Sequence, residues 1–436
     1  MLTPKNTRKF LAKHILATGY DMVLDMKKSR GMKLWDSQNK RWILDFFGFF
    51  ATSALGMNHP KLLEPRFLEE LKHASLNKVT NSDVYTVEMA NFVKELSTVI
   101  PKNMPHLFFI EGGALAVENA LKTAFDWKVR KNLLKGGDES GSRIIHLKGA
   151  FHGRSGYTLS LTNTFDKRKT EYFPKFDWPR VTNPKITFPL NDKNLREVKE
   201  LENISLEEIQ ASIDRYGDDI AAFIIEPIQA EGGDNHFRGE YLRAVQKITS
   251  ENDILFIVDE VQSGMGITGK WWAYQHFDVK PDIMVFGKKT QVCGIAAGKK
   301  IDEIKDNVFS VDSRINSTWG GNIADMVRGK QIIRIMKDES LVANSKKVGA
   351  YLLRRLEDLE IDRPEYFSNA RGRGLMCAID FKDSTSRDRY IEHLLKAGLL
   401  VLKCGEKSIR FRPPLIAEKK DVDKALETME NTLSTE

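Results

Sequence analysis

Cysteine is scarce in this chain: Cys293, Cys377 and Cys404 are the only three among 436 residues. A sparse, odd-numbered set argues against a disulfide framework and for a reducing compartment, so a cytoplasmic location is expected. No apolar run approaches the ~18 residues of a bilayer-crossing helix, and a membrane is not an expected partner. Met1-Leu2-Thr3-Pro4-Lys5 opens without the continuous apolar stretch of a secretory signal. Internal repeats and low-complexity segments are absent too. The net charge is +7, yet there is no basic tract. Lys and Arg are interleaved with Asp and Glu, which describes a mixed charged surface and excludes nucleic acid as an expected partner.

What is present is an ordinary globular composition, 41% hydrophobic and 29% charged, in a chain long enough for two or three lobes. Its middle alternates short apolar runs with helical spacing, the pattern of an α/β fold with a mostly parallel central sheet and helices on both faces. The candidate strands are His106–Ile110, Ile144–Leu147, Ala221–Ile225, Ile254–Val258 and Ile283–Phe286. Leu115, Leu121, Ala124 and Phe125 give the helical spacing after the first of them. The last hundred or so residues read as a smaller α+β lobe. Its expected strands are Gly374–Phe381, Leu399–Leu402 and Ser408–Arg412, before an amphipathic helix carrying Val422, Ala425, Leu426, Met429 and Leu433. The expected division is an N-terminal segment joining the small lobe (1–65), a large domain (66–325) and the small domain (326–436).

Each apolar run leads into a polar, glycine-punctuated loop: Glu111-Gly112-Gly113, Lys148 to Arg154, Glu226 to Glu231, Asp259-Glu260 and Gly287-Lys288. Ligands of open parallel sheets bind outside the carboxyl ends of the strands, so the site is expected there. A lysine ending a buried strand, Lys288, is costly unless it is used or paired. Desolvation would make it an amine able to form a Schiff base; alone, the Lys288-Lys289 pair also reads as a solvated loop. Asp259 can keep a pyridine nitrogen protonated. Gly113 and Ala114, opening a helix, offer bare NH groups to a phosphate, or form a plain turn. Phe151 either stacks on a ring or belongs to the core. Gln262 bonds a ring hydroxyl or caps a turn. Arg410 and Arg412 lie on one strand face, as a wet edge or as a fork for a carboxylate; Arg154 is a second carboxylate candidate. Gly264 to Lys270 fits G-x-x-x-x-G-K, but Trp271 stands where a P-loop NTPase needs Ser or Thr.

Val258-Asp259-Glu260-Val261-Gln262-Ser263-Gly264 and Phe286-Gly287-Lys288, with Asp259 and Lys288 29 positions apart, resemble the class-III aminotransferases of pyridoxal-phosphate (PLP) fold type I. Phe151-His152-Gly153, Glu226-Pro227-Ile228-Gln229, Ser317 to Asn322 and Arg410-Phe411-Arg412-Pro413-Pro414 extend the resemblance in the correct order. Further strings narrow it: His152 to Tyr157, Gln229 to Asp234, Gly287 to Gly294 and Arg314 to Trp319. These resemble the family members that move the side-chain amine of L-lysine to 2-oxoglutarate.

The resemblance implies pyridoxal 5'-phosphate on Lys288, with Asp259 at its ring nitrogen and Gln262 near ring or substrate oxygens. Gly113 and Ala114 would cradle the phosphate, joined by Thr318 from a neighbouring subunit, so a homodimer is implied. Arg154 would bind the carboxylate of lysine and later the distal carboxylate of 2-oxoglutarate. Arg410 would take the carboxylate beside the keto group. The register chooses Lys288 over Lys289. The loop Gly112-Gly113-Ala114-Leu115 departs from the Ser-Gly or Gly-Ser with Glu-Ala of many members, leaving the phosphate more to backbone NH groups. Glu231 is expected to neutralise Arg410 while the aliphatic lysine is bound and to swing aside for 2-oxoglutarate. Ornithine and 4-aminobutyrate are the alternative donors within the family, and a P-loop NTPase is the remote alternative outside it.

Overall fold

Residues 1–433 are described in the computed structural model. The N-terminal hairpin of β1 (Lys33–Asp36) and β2 (Arg41–Asp45) precedes a seven-stranded sheet. The sheet comprises β3 (His106–Ile110), β4 (Arg143–Leu147), β5 (Arg180–Val181), β6 (Ile220–Ile225), β7 (Leu255–Asp259), β8 (Ile283–Phe286) and β9 (Cys293–Ala297), in spatial order 3-9-8-7-6-4-5. All run in one direction except β9, which is antiparallel to both its neighbours.

Side chains alternate between the two covered faces as strand geometry requires. On β6, β7 and β8, Ile224, Ile257 and Val285 pack with Ala120, Leu121 and Ala124 of the helix Gly113–Leu134. Phe223, Phe256 and Met284 point the other way, into the cluster holding Tyr241, Val245 and Trp272. The indole Nε1 of Trp272 donates to Val99 O at 2.7 Å, so even this deep side chain leaves no donor unpaired.

The C-terminal part is a four-stranded antiparallel sheet of β10 (Phe367–Arg373), β11 (Met376–Phe381), β13 (Leu402–Cys404) and β14 (Ser408–Phe411), in order 10-11-14-13. Between them in sequence, β12 (Leu399–Leu400) leaves this sheet and runs parallel to β2, with Leu399 opposite Leu44. The chain's two ends therefore share one small sheet. The final helix is Lys419–Leu433, burying Val422, Ala425, Leu426, Met429 and Leu433. No helix among the described residues is long and apolar enough to cross a membrane.

Several expectations change in detail. Leu115, in the first turn of its helix, is 43% exposed and does not join the buried face. The expected strand 399–402 breaks at Val401 into two strands belonging to different sheets. Gly374 and Leu375 form a turn rather than strand, and polar β10 before them carries no apolar alternation to announce it. Gly264 to Lys270 is a buried turn, not a strand-to-helix loop, and a Cβ on Gly264 would lie 2.7 Å from Glu260 O and from the Trp272 ring. It offers no phosphate cradle.

Three backbones stack where the small sheet meets the turn after β7. A Cβ on Gly349 would lie 2.0 Å from the carbonyl carbon of Gly374, and one on Gly374, which has φ +58°, would lie 2.3 Å from Ile267 O. Leu375 N donates to Ile267 O at 2.8 Å across the same seam. Because neither partner of the Gly349 contact is a flexible side chain, Gly349→Ala is expected to destabilise the protein by about 2–3 kcal/mol. The matched control Gly19→Ala, with nothing within 4 Å of the added carbon, should stay within about 0.5 kcal/mol. Urea midpoints of the two variants check this.

Candidate active site

Four parallel strands end beside one another, and their loops bring together residues far apart in sequence. Asp259 is the last residue of β7 and is 6% exposed. Its Oδ1 accepts from Val261 N at 3.0 Å, and its Oδ2 lies 2.8 Å from Nδ1 of buried His152. His152 belongs to the loop after β4, so this bond ties two strand ends together. A second tie runs from the loop after β6: Glu226 accepts from Phe151 N through Oε1 and from Ala230 N through Oε2, both at 3.0 Å. Burial pushes the Glu226 carboxyl up to about 7, opposed by nearby His152 and reinforced by Asp259.

Lys288 follows β8 and Gly287 in a left-handed conformation, φ +54°. Such a backbone is strained for lysine and is held by its surroundings. Its ammonium has no hydrogen-bond or ion-pair partner among the described residues. Burial, aided by Arg410, brings its pKa down to about 8, against the pull of Asp259 and Glu226. Lys289 differs in its surroundings. It is 1% exposed and its Nζ lies 3.4 Å from Gln262 O. Burial and then Lys288 drive its pKa well down. The two adjacent lysines are thus physically distinct, and Lys288 is the one among the charges of the cluster.

Gly113 begins a 22-residue helix whose N-cap is Gly112 (φ +96°), with no capping side chain and no acidic residue in its first turn. A Cβ on Gly153 would lie 2.5 Å from that of Ala114, so the β4 loop reaches this helix start only because residue 153 is glycine. Bare NH groups and a positive dipole end favour an anion here.

Arg410 and Arg412 are not a wet edge: they are 1% and 0% exposed. Arg410 Nη2 lies 2.6 Å from Glu231 Oε2, and Arg412 is paired with fully buried Asp234. Gln262 Oε1 accepts from Arg412 Nε at 3.1 Å and from Arg410 Nη1 at 3.4 Å. Its oxygen therefore bridges the guanidinium groups, and only its NH2 is left to face a ligand. Glu231 also meets Lys169 Nζ at 2.5 Å.

Arg154 and Thr318 stand apart from this network. Arg154 is exposed, with its guanidinium carbon 5.9 Å from the Phe151 ring centroid and no ion pair among the described residues. Thr318 is exposed, in a segment anchored by Ser82 Oγ donating to Ser317 O at 3.0 Å. Within one chain it makes no recorded contact with the cluster. Conversely, His152, Glu226 and Lys169 join the network although sequence reasoning gave them no role. His152 and Glu226 lie inside strings already singled out, so position was the available signal; Lys169 sits in an unremarkable charged stretch and had none.

The arrangement suits pyridoxal phosphate: a partnerless amine of lowered pKa, a buried carboxylate oriented by His152, an uncapped helix start, and Phe151 in the β4 loop with its N–H donating to Glu226. Comparison with known proteins agrees. The aminotransferase class-III family profile matches residues 15–433. The chain is 48% identical to the L-lysine-epsilon aminotransferase of Mycobacterium tuberculosis, covering 99% of this chain and 96% of the relative. It is 45% identical to the L-lysine-epsilon aminotransferase of Streptomyces clavuligerus, covering 99% and 95%. The structure of lysine aminotransferase from M. tuberculosis in the internal aldimine form matches with a TM-score of 0.97 at 48% identity, covering all of both chains. With that site and a family match over nearly its whole length, the chain belongs to the class-III aminotransferases.

Proposed function

We propose that this enzyme is an L-lysine 6-transaminase, transferring the side-chain amine of L-lysine to 2-oxoglutarate to give 2-aminoadipate 6-semialdehyde and L-glutamate. The carrying observation is the Glu231–Arg410 pair at 2.6 Å, a buried guanidinium already neutralised before any substrate arrives. A lysine side chain presents only methylenes there, and an uncompensated arginine would penalise it. 2-Oxoglutarate presents a carboxylate, which takes Arg410 once Glu231 moves away.

Pyridoxal phosphate, when bound, supplies an aldehyde carbon for the amine and a protonated ring that accepts an electron pair. The chain's own residues do the rest. Lys288 Nζ takes the proton from Cε of the substrate lysine and, in the second half-reaction, delivers one to C2 of the acceptor. Asp259, oriented by His152, holds the proton on the ring nitrogen. Gly113 and Ala114 give NH groups to the phosphate, Phe151 covers the ring, and Gln262 directs its NH2 toward ring or substrate oxygens. Arg154 holds the carboxylate remote from the reacting amine.

The active unit in this reading is a homodimer, in which Thr318 reaches the phosphate of a neighbouring subunit. Exposed Thr318 and the exposed apolar run of Val84 (58%), Tyr85 (79%) and Val87 (72%) support it. Three free cysteines suit a cytoplasmic location.

Lysine labelled with nitrogen-15 at its side chain should pass the label to glutamate, read by mass spectrometry; label arriving from the α-nitrogen, or faster turnover of ornithine, overturns the donor assignment. Covalent capture of pyridoxal phosphate by apoprotein needs neutral Lys288. It should therefore rise with pH through a midpoint near 8, rather than in the ordinary lysine range, and vanish in Lys288→Ala but not Lys289→Ala. In single-turnover spectroscopy, Glu231→Ala should impair the lysine half-reaction selectively. Arg410→Ala should weaken 2-oxoglutarate by about 1.5–3 kcal/mol, as for a lost charge-assisted bond.

A further inference from the structure

The turn Lys167–Lys169 carries three cations, and only one is turned inward. Lys167 is exposed, and Arg168, 80% exposed, pairs with its neighbour Asp166. The Lys169 side chain is 14% exposed and reaches Glu231. The Glu231 carboxylate is divided between two cations: Oε1 meets Lys169 Nζ at 2.5 Å and Oε2 meets Arg410 Nη2 at 2.6 Å. Burial alone would raise the Glu231 carboxyl, but Arg410 and Lys169 hold it below the usual carboxylate range.

Releasing Arg410 is the costly moment of the proposed cycle. A carboxylate leaving its only cation in a largely buried place stands uncompensated, and the penalty falls on acceptor binding. With Lys169 on the other oxygen, Glu231 gives up one contact and pivots about the second. The Lys169 side chain makes no other hydrogen bond or ion pair among the described residues, so it is committed to this carboxylate and free to follow it. Its ammonium also lies 5.9 Å from the Phe151 ring centroid, at the mouth of the same cluster.

We propose that Lys169 is a positioning residue for Glu231, a second seat that keeps the carboxylate anchored while Arg410 is surrendered to the incoming acceptor carboxylate. This rests on the reading of Glu231 given above. Without Lys169, Glu231 clings to Arg410 and competes harder with the acceptor.

The test is single-turnover spectroscopy of each half-reaction of the holoenzyme for Lys169→Met, Lys169→Arg, Glu231→Ala and the double variant Lys169→Met/Glu231→Ala. Lys169→Met is expected to raise the 2-oxoglutarate concentration for half-maximal rate by about 10- to 100-fold, the loss of one charge-assisted bond. The lysine half-reaction should change less than about twofold, which separates a positioning role from general damage. Lys169→Arg should restore 2-oxoglutarate use. In the Glu231→Ala background Lys169→Met should add nothing, since the residue acts through Glu231. Equal losses in both halves would make Lys169 merely structural. A selective loss with lysine would make it a donor-carboxylate ligand beside Arg154. A persistent effect in the Glu231→Ala background would also overturn the proposal. If Glu231→Ala itself affects both halves alike, the reading of Glu231 fails as well; if it is selective while Lys169→Met is silent, only this proposal falls.

Discussion

Two guanidinium groups buried at the end of β14 impose the constraint around which the site is built. Arg410 and Arg412 are shut from water at 1% and 0% exposure, and a buried charge without a partner costs several kcal/mol. Glu231, Asp234 and the oxygen of Gln262 meet that cost. These partners come from the loops after β6 and β7, whereas the arginines come from the small sheet. The charge pairing therefore also fixes how the small sheet sits on the large one, together with the stacked backbones at Gly349, Gly374 and Ile267.

The two arginine pairs differ in how far they are enclosed. Arg412 and Asp234 are both fully enclosed, Arg412 Nη1 donates in addition to Phe411 O at 2.9 Å, and the pair forms a fixed support. Glu231 retains 23% side-chain exposure, so one partner of the Arg410 pair has room to move toward solvent. Two arginines in alternate positions at the end of β14 thus differ: the partner of one is enclosed, and the partner of the other is partly open to solvent. Lys169 lies on the more open side.

The reacting end has its own logic. Asp259 ends β7, and His152, Glu226 and Lys288 come from the loops after β4, β6 and β8; short polar contacts tie Asp259 to His152 and Glu226 to Phe151 N of the β4 loop. The lowered pKa of Lys288 follows from burial and the nearby arginines, with Asp259 and Glu226 opposing. In the proposed cycle one buried set of charges serves both the acceptor carboxylate and Lys288.

Much of this was legible in the sequence where local chemistry decides. Short apolar runs of β-branched and aromatic residues specify buried strands, and each strand's following residues lie at its carboxyl end whatever the rest of the fold does. Asp259, Lys288, Glu231 and Arg410 could be named on that basis and by family resemblance. Small or polar strands were not legible: β9 (Cys293–Ala297) and β10 (Phe367–Arg373) lack the alternation that marks a half-buried strand. Nor could spacing show that His152 meets Asp259 across 107 positions, that Gln262 bridges two arginines, or that Lys169 alone of three neighbouring cations turns inward. The sequence by itself determined which residues end the strands, because a strand's length and direction are local properties. Only the tertiary structure decided which ionised groups share a buried volume, because pairing energy depends on distance and exclusion of water, and neither is written along the chain.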